Sequence, residues 1–318
     1  MQDFWISITP EPSDINLRLD QFLASRYPQF SRSHWQNRIK QSQVLLDSRA
    51  AKPNETVKKN STIKYLVSRP DEPLVNDNIQ ILYNKDGLLV VDKPADLPAH
   101  PGGSYFKGTL VEILKEQHGL DYIAPIQRLD RETSGVMLVC TNKIAASQYS
   151  RWLKAGLFQK IYLLAVEGKF PTSLHTIGWQ RTIDSGEILT RYEFSLEQKE
   201  KQDKRSETKF RRLHYDKNQN TSLLLVKTLT GRHHQIRCTA NSIGFPVIGD
   251  KLYGVDQQFF LKFLKDELSE RDYKKLRVSR SMLHSSSLLV RGEGSQQKFK
   301  AQPPRDFVQL FPEFFRNR

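Results

Sequence analysis

The sequence predicts an α+β protein with one large sheet dressed by helices, preceded by a small helical and stranded unit. Three observations carry this. Apolar runs of strand length recur after residue 80, at Leu88–Val91, Val136–Thr141, Ile161–Val166 and Ser222–Lys227. Helical periodicity appears between and after them, in Ala145, Tyr149, Trp152 and Leu153 and again over Phe259–Leu276. A break rich in proline and charge, Ser68–Pro73, separates what comes before. At 318 residues the chain has room for two domains. The expected division is 1–67, a linker over 68–78, and 79–318.

In the first unit, Leu19, Phe22, Leu23 and Tyr27 follow helical spacing. Pro28 breaks the helix and Ser31 caps a second one, which places Trp35 and Ile39 one turn apart. The other faces of that helix hold Arg32, His34, Arg38 and Lys40. A strand at Val44–Leu46, a turn at Asp47–Arg49 and a strand at Thr62–Val67 complete the unit. In the second unit, Lys199–Lys209 is polar and charged and reads as an exposed loop leading into the next strand.

Lysine and arginine total 49 against 35 acidic residues, a net charge of +14. Such an excess suits a polyanionic partner. No apolar window is long enough to span a membrane. The start, Met1–Trp5, lacks the basic and apolar pattern of a secretory signal, and the two cysteines, Cys140 and Cys238, lie far apart in apolar or helical stretches. A cytoplasmic protein with reduced thiols is expected.

Chemistry concentrates in four segments. Arg128-Leu129-Asp130-Arg131-Glu132-Thr133-Ser134-Gly135 sets a carboxylate between two arginines on a polar turn before a buried strand. The flanking arginines would keep Asp130 ionised. In the strand after Lys160, Lys160 and Tyr162 share a face. In Thr230–Cys238, helical spacing sets His233, Arg237 and Asn241 on one side. A cation so near a helix start opposes the macrodipole, which implies an anionic partner for Arg237. Adjacent histidines on a helix do not converge, so no metal is expected at His233 and His234. Arg280–Ser285 reads as a strand with a structural His284.

Together these segments resemble the RluA-type pseudouridine synthases. That family's loop of Arg-Leu-Asp, two variable residues and Thr-Ser-Gly is matched by Arg128–Gly135; Asp92-Lys93-Pro94 and His100-Pro101 match the segment upstream of it, and Lys160-Ile161-Tyr162, Gly231–Arg237, Gly244–Asp250 with Tyr253-Gly254, Leu283-His284 and Pro304–Phe307 follow in order. Residues 17–67 resemble the small RNA-binding module first known from ribosomal small-subunit protein four, with Asp47-Ser48 where such modules often have Asn-Gly. Two family histidines are replaced, by Gln127 and Thr239.

The resemblance implies a large mixed, mostly antiparallel sheet and conversion of uridine in RNA to pseudouridine without cofactor or metal. Asp130, Tyr162 and Arg237 would be catalytic, with Arg237 paired to Asp130 and holding its carboxyl ionised. Arg128, Arg131, Arg232 and His233 would contact RNA near the loop, and Arg32, Arg38 and Lys40 would contact it from the first unit. A monomer acting on ribosomal RNA is expected, with transfer RNA as the alternative target. Two other readings remain: a hydrolase of the glycosidic bond, with Glu132 as the one further carboxylate near Asp130, and a catalytically inactive RNA-binding homologue.

Overall fold

The structure is a computed structural model that describes residues 2–27, 30–69, 72–183, 191–256, 258–264, 267–292 and 294–316. The chain divides into two compact units, Met1–Pro73 and Leu74–Arg318.

In the first unit, strand β1 (Gln2–Ile8) precedes helices α1 (Leu19–Arg26) and α2 (Arg32–Lys40), then strands β2 (Val44–Leu46), β3 (Arg49–Ala50) and β4 (Ile63–Arg69). Helix α1 buries Leu19, Phe22 and Leu23. Ser31 caps α2 by accepting a hydrogen bond from the His34 amide at 3.2 Å, and Trp35 and Ile39 pack under it. The sheet order is β1-β4-β2-β3. Strand β1 was not expected, although Phe4, Ile6 and Ile8 alternate with the period of a strand. The β2–β3 turn consists of Asp47 and Ser48, both left-handed (φ 51° and 66°). That is the two-residue geometry hairpins favour. Asp47 makes it tenable by accepting the Thr62 amide at 2.8 Å.

The basic face of α2 is smaller than the sequence suggests. Asp20 is fully buried and takes bonds from Arg18, Arg32 (3.0 Å) and Gln36 (2.6 Å). Arg38 donates to the Leu66 carbonyl and lies over the Trp35 ring. Arg32 and Arg38 are therefore tied into the unit's structure, while Lys40 stays exposed.

The second unit contains β5 (Gln80–Lys85), β6 (Leu88–Lys93), α3 (Leu110–His118), β7 (Ala124–Pro125), β8 (Ser134–Cys140), α4 (Lys143–Lys154), β9 (Phe158–Glu167), β10 (Ser173–Ile183), β11 (Arg191–Ser195), β12 (Lys204–Asp216), β13 (Thr221–Thr228), α5 (Gln235–Ser242), α6 (Gln258–Leu264), α7 (Glu270–Leu276), β14 (Leu283–Gly292), β15 (Ser295–Lys300), α8 (Arg305–Leu310) and α9 (Pro312–Arg316). Its sheet runs β11-β10-β12-β13-β9-β14-β8-β6-β5, with β15 beside β14 and β7 beside β8. Among the described residues only the β14–β8 contact is parallel.

Strands β6 and β8 read as unbroken apolar runs because both their faces are covered. Leu89, Val91, Met137 and Val139 pack with α3 and α5. Leu88, Val90, Val136 and Leu138 pack with Ala145, Tyr149 and Trp152 of α4 on the other side. Phe307 and Phe311 cover Leu163 and Ala165 on the outer face of β9.

Two expectations fail here. The helix expected over Phe259–Leu276 is two helices: Ser269 caps α7 in a reciprocal capping box with Asp272, which starts a new helix inside the charged stretch. Residues 265–266 lie outside the described set. The exposed loop expected over Lys199–Lys209 becomes strand from Lys204 onward. Strands β10 and β12 lack an apolar alternation because their buried face is polar. Thr176 Oγ1 donates to the Thr208 carbonyl at 3.2 Å, and Gln180 donates to the His233 carbonyl at 2.6 Å.

Candidate active site

A cavity of about 680 Å³ opens where the Asp130 loop, β9 and the turn before α5 meet. Asp130, Lys160, Tyr162 and Arg237 line it.

The loop carrying Asp130 is fastened from beneath. The buried Lys93 ammonium donates to the carbonyls of Pro94 (2.7 Å), Leu97 (2.8 Å) and Arg131 (3.1 Å). Arg280 donates to the Glu132 carbonyl at 3.1 Å and is itself held by Asp306. Ser134 and His284 Nδ1 share a hydrogen bond at 2.9 Å. The loop ends at Gly135, where φ is +109° and a Cβ would stand 2.3 Å from the Ser285 carbonyl oxygen. Only glycine lets β14 approach β8 this closely.

Arg237 lies in the first turn of α5 and is 8% exposed. Its guanidinium joins two carboxylates. Nη1 donates to Asp130 Oδ2 at 2.8 Å, while Nε and Nη2 donate to Asp250 at 2.5 and 2.9 Å. Asp250 is wholly buried and also accepts the amides of Leu252 and Tyr253. The anionic partner expected for Arg237 is thus a pair, and the pair offsets the helix-start cost.

Burial would raise the Asp130 carboxyl, but His234 and Arg237 beside it outweigh burial and hold it at about 2. Burial keeps His234 at about 3, so its imidazole is neutral at pH 7. Arg237 is therefore the standing positive charge that keeps Asp130 ionised. Burial, together with the Asp130 charge, pushes the Tyr162 hydroxyl well above its usual range. It stays protonated at neutral pH.

The structure brings Asp130, Tyr162 and Arg237 into one cavity, with Arg128, Arg232 and His233 on its walls. Arg128 and His233 are exposed; Arg232 Nε donates to the Arg205 carbonyl at 2.9 Å. Arg131 is elsewhere. It bonds the Tyr105 hydroxyl at 2.8 Å and covers the Phe263 ring at 4.3 Å, because the turn after Asp130 points its side chain away. Among the described residues neither flanking arginine bonds Asp130; its partner is Arg237 of α5, the pairing the family resemblance implies. Glu132 also turns away, onto Lys251 and the Ser281 amide. Arg32, Arg38 and Lys40 belong to the first unit.

His233 precedes α5, and His234 caps it with φ 54°, so the helical face expected for His233, Arg237 and Asn241 does not include His233. The two imidazoles stack at 3.9 Å. With Asp130 they bring ligand-type atoms within 4.8 Å of one another. The histidines do converge, contrary to expectation, because they stack ahead of the helix. The arrangement fits a metal poorly, since Asp130 is already neutralised by a fixed guanidinium that repels cations.

Sequence reasoning assigned no role to Asp250, Lys93 or Lys160. Each lay inside a segment that had been noted, but a buried counter-ion, a loop anchor and a half-buried cavity lysine carry no local pattern of their own.

Residues 87–242 match the family described as RNA pseudouridylate synthase. Over 252 residues the chain is 33% identical to an uncharacterized RNA pseudouridine synthase of Aquifex aeolicus, covering 74% of this chain and 77% of that one. The chain belongs to the RNA pseudouridine synthase family. It is also 29% identical over 224 residues to the Saccharomyces cerevisiae tRNA pseudouridine(32) synthase, mitochondrial, covering 70% of this chain and 47% of that protein. The solved structure of Human RNA Pseudouridylate Synthase Domain Containing 1 shares the fold, with a TM-score of 0.56 at 24% identity over 76% of this chain and 97% of that one. The chain spans 63%, 56% and 35% of the length of the rice, Arabidopsis and human relatives it matches.

Proposed function

We propose that this chain converts uridine to pseudouridine in RNA, with Asp130 as the catalytic carboxylate. The observation that carries the reading is the Asp130–Arg237 pair, at 2.8 Å, in a cavity that also presents Tyr162. In the reaction the N1–C1′ bond breaks, the uracil turns, and C5 bonds the same C1′. The C5 proton leaves and N1 gains one, so nothing is oxidised or hydrolysed.

Asp130 must be ionised to act, whether it attacks C1′ or removes a proton from the sugar. Arg237 keeps it so. Tyr162 supplies a ring face for the uracil and a hydroxyl that donates rather than accepts, since it stays protonated. The nucleotide must leave its stack to enter, and the exposed Arg128 at the wall is placed to fill the space it vacates. Among the described residues lining the cavity, Asp130 is the one carboxylate. That weighs against a glycosidase, which needs two.

Ribosomal RNA is our first target, supported by the first unit's two helices and hairpin, which resemble a ribosomal RNA-binding module. Transfer RNA is the second, supported by the yeast relative. The first unit adds affinity through phosphate contacts, with Lys40 and the half of Arg32 that faces solvent. Its removal should flatten the salt dependence of RNA binding.

The test is tritium release from RNA labelled at C5 of uridine. Wild type releases tritium, and Asp130→Asn binds RNA but releases none. Undiminished release by Asp130→Asn excludes the assignment. Free uracil as product would indicate hydrolysis, and binding without release by the wild type would indicate an inactive homologue. Mapping pseudouridines in cells with and without the chain identifies the target.

A further inference from the structure

We infer that Lys160 is an anion site, built to take a phosphodiester of the RNA strand beside the target uridine. The inference rests on the RNA reading above and deepens it.

Lys160 lies on β9, paired with Thr228 of β13 and Leu288 of β14, so it sits in mid-sheet with a strand on either side. Its side chain enters the cavity and is half-buried. Among the described residues no carboxylate, carbonyl or hydroxyl bonds its ammonium. Every other buried cation of this unit treated above has acceptors: Lys93 three carbonyls, Arg237 two carboxylates, Arg280 a carboxylate and carbonyls. An ammonium only partly hydrated and without a protein acceptor gains when a ligand brings one. Burial accordingly holds Lys160 below the usual lysine range.

The opposing wall is shaped for that ammonium. Gly231 faces it, and a Cβ there would stand 3.1 Å from Nζ. The glycine leaves room for the ammonium and exposes the cavity side of the turn. Arg128, Lys154 and Arg232 line the same cavity. The local field thus favours an anion, with Asp130 the one opposing charge.

Position names the anion. Lys160 and Tyr162 are two residues apart on one face of a strand, a separation of about 7 Å. A uracil against Tyr162 carries its own phosphates at a comparable reach. A phosphate is thus the group that arrives at Lys160 when the base arrives at Tyr162. A lysine there reads no sequence. It draws the backbone into register, so the base enters only as part of a strand.

The experiment titrates a single-stranded oligouridylate against the full-length chain over a range of salt concentrations. Lys160→Met is expected to weaken binding about tenfold and to lower the slope of log K against log salt by about 0.7, the share of one phosphate contact. Lys160→Arg should keep the slope. Gly231→Ala, which crowds the ammonium, should move affinity in the same direction by less. In turnover, Lys160→Met should raise KM and leave kcat within a few-fold. A folded Lys160→Met protein with an unchanged slope, or one that loses kcat with KM unmoved, overturns the assignment. Binding is read without turnover. A wild type that shows the Lys160-dependent slope yet releases no tritium would therefore sink the isomerase reading and leave the anion site standing.

Discussion

Arg237→Gln removes the guanidinium that separates the half-buried Asp130 carboxylate from the buried Asp250 carboxylate. In the wild type, Asp130 is brought from 3.8 to about 2, a preference of a few kcal/mol for its charged form. Because the folded pKa is depressed, this contribution is fully present above pH 3.8 and fades as pH falls through about 2. In the variant, burial is unopposed by a fixed cation. Asp130 should then titrate above 3.8, with Asp250 competing for the same proton. Leaving buried carboxylates uncompensated costs about 3–5 kcal/mol. For a unit of this size that lowers the thermal midpoint by roughly 10 °C. Thermal unfolding from pH 4 to 8 reads the stability, and the pH dependence of tritium release reads the carboxyl. The acid limb should move up by about two pH units, and the stability gap between the proteins should persist at pH 7. Arg237→Lys should restore charge but not the two-sided fork, and should recover stability only in part. An Arg237→Gln protein with wild-type stability and an unmoved acid limb would refute the claim that Arg237 holds Asp130 ionised.

Gly135→Ala should destabilise the second unit by several kcal/mol, because both its φ of +109° and the Ser285 carbonyl exclude a Cβ; a midpoint within 2 °C of wild type would contradict this. Lys93 is held at about 7 by burial, below its ordinary 10.5. The unfolded chain then binds more protons between these values, so stability should rise as pH goes from about 7 toward 10. Lys93→Met should lack that rise and, with three carbonyls released, should lose kcat more than RNA affinity. Asp20→Ala should cost the first unit about 2–3 kcal/mol, since Arg18, Arg32 and Gln36 all lose their common acceptor. With Asp20 held at about 2 despite burial, through its bonds to Arg18, Gln36 and Arg32, that unit should also weaken as pH drops below 3.8. Urea unfolding at pH 3 and pH 7 checks both statements, and an Asp20→Ala protein as stable as wild type at pH 7 would contradict them.

Much of the fold was legible where burial is apolar. The runs at Leu88–Val91 and Val136–Cys140 are covered on both faces, and α4 shows its buried stripe in Ala145, Tyr149 and Trp152. Strands β10 and β12 were not legible, because Thr176, Gln180 and Thr208 bury polar atoms against each other, the His233 carbonyl and the Gln235 side chain. The Asp130 loop, Tyr162 and Arg237 could be singled out from local pattern. What holds them could not. Asp250 and Lys93 act through contacts made across the fold, and Arg131, beside Asp130 in sequence, points elsewhere in space. The flanking arginines expected to hold Asp130 ionised do not bond it, whereas the Arg237 partner implied by the family resemblance does.

The clasp around Asp130 draws on segments made late in synthesis. Arg237 arrives 107 residues after the acid it serves, and His284 arrives 150 residues after Ser134. Contacts so distant along the chain form slowly and late. A chain made only as far as β13 has the acid loop but neither the Arg237 guanidinium nor the His284 partner of Ser134. Truncation ahead of Arg280 would remove the Arg280 and His284 contacts together and loosen the acid loop, while Lys93 would still hold its carbonyls.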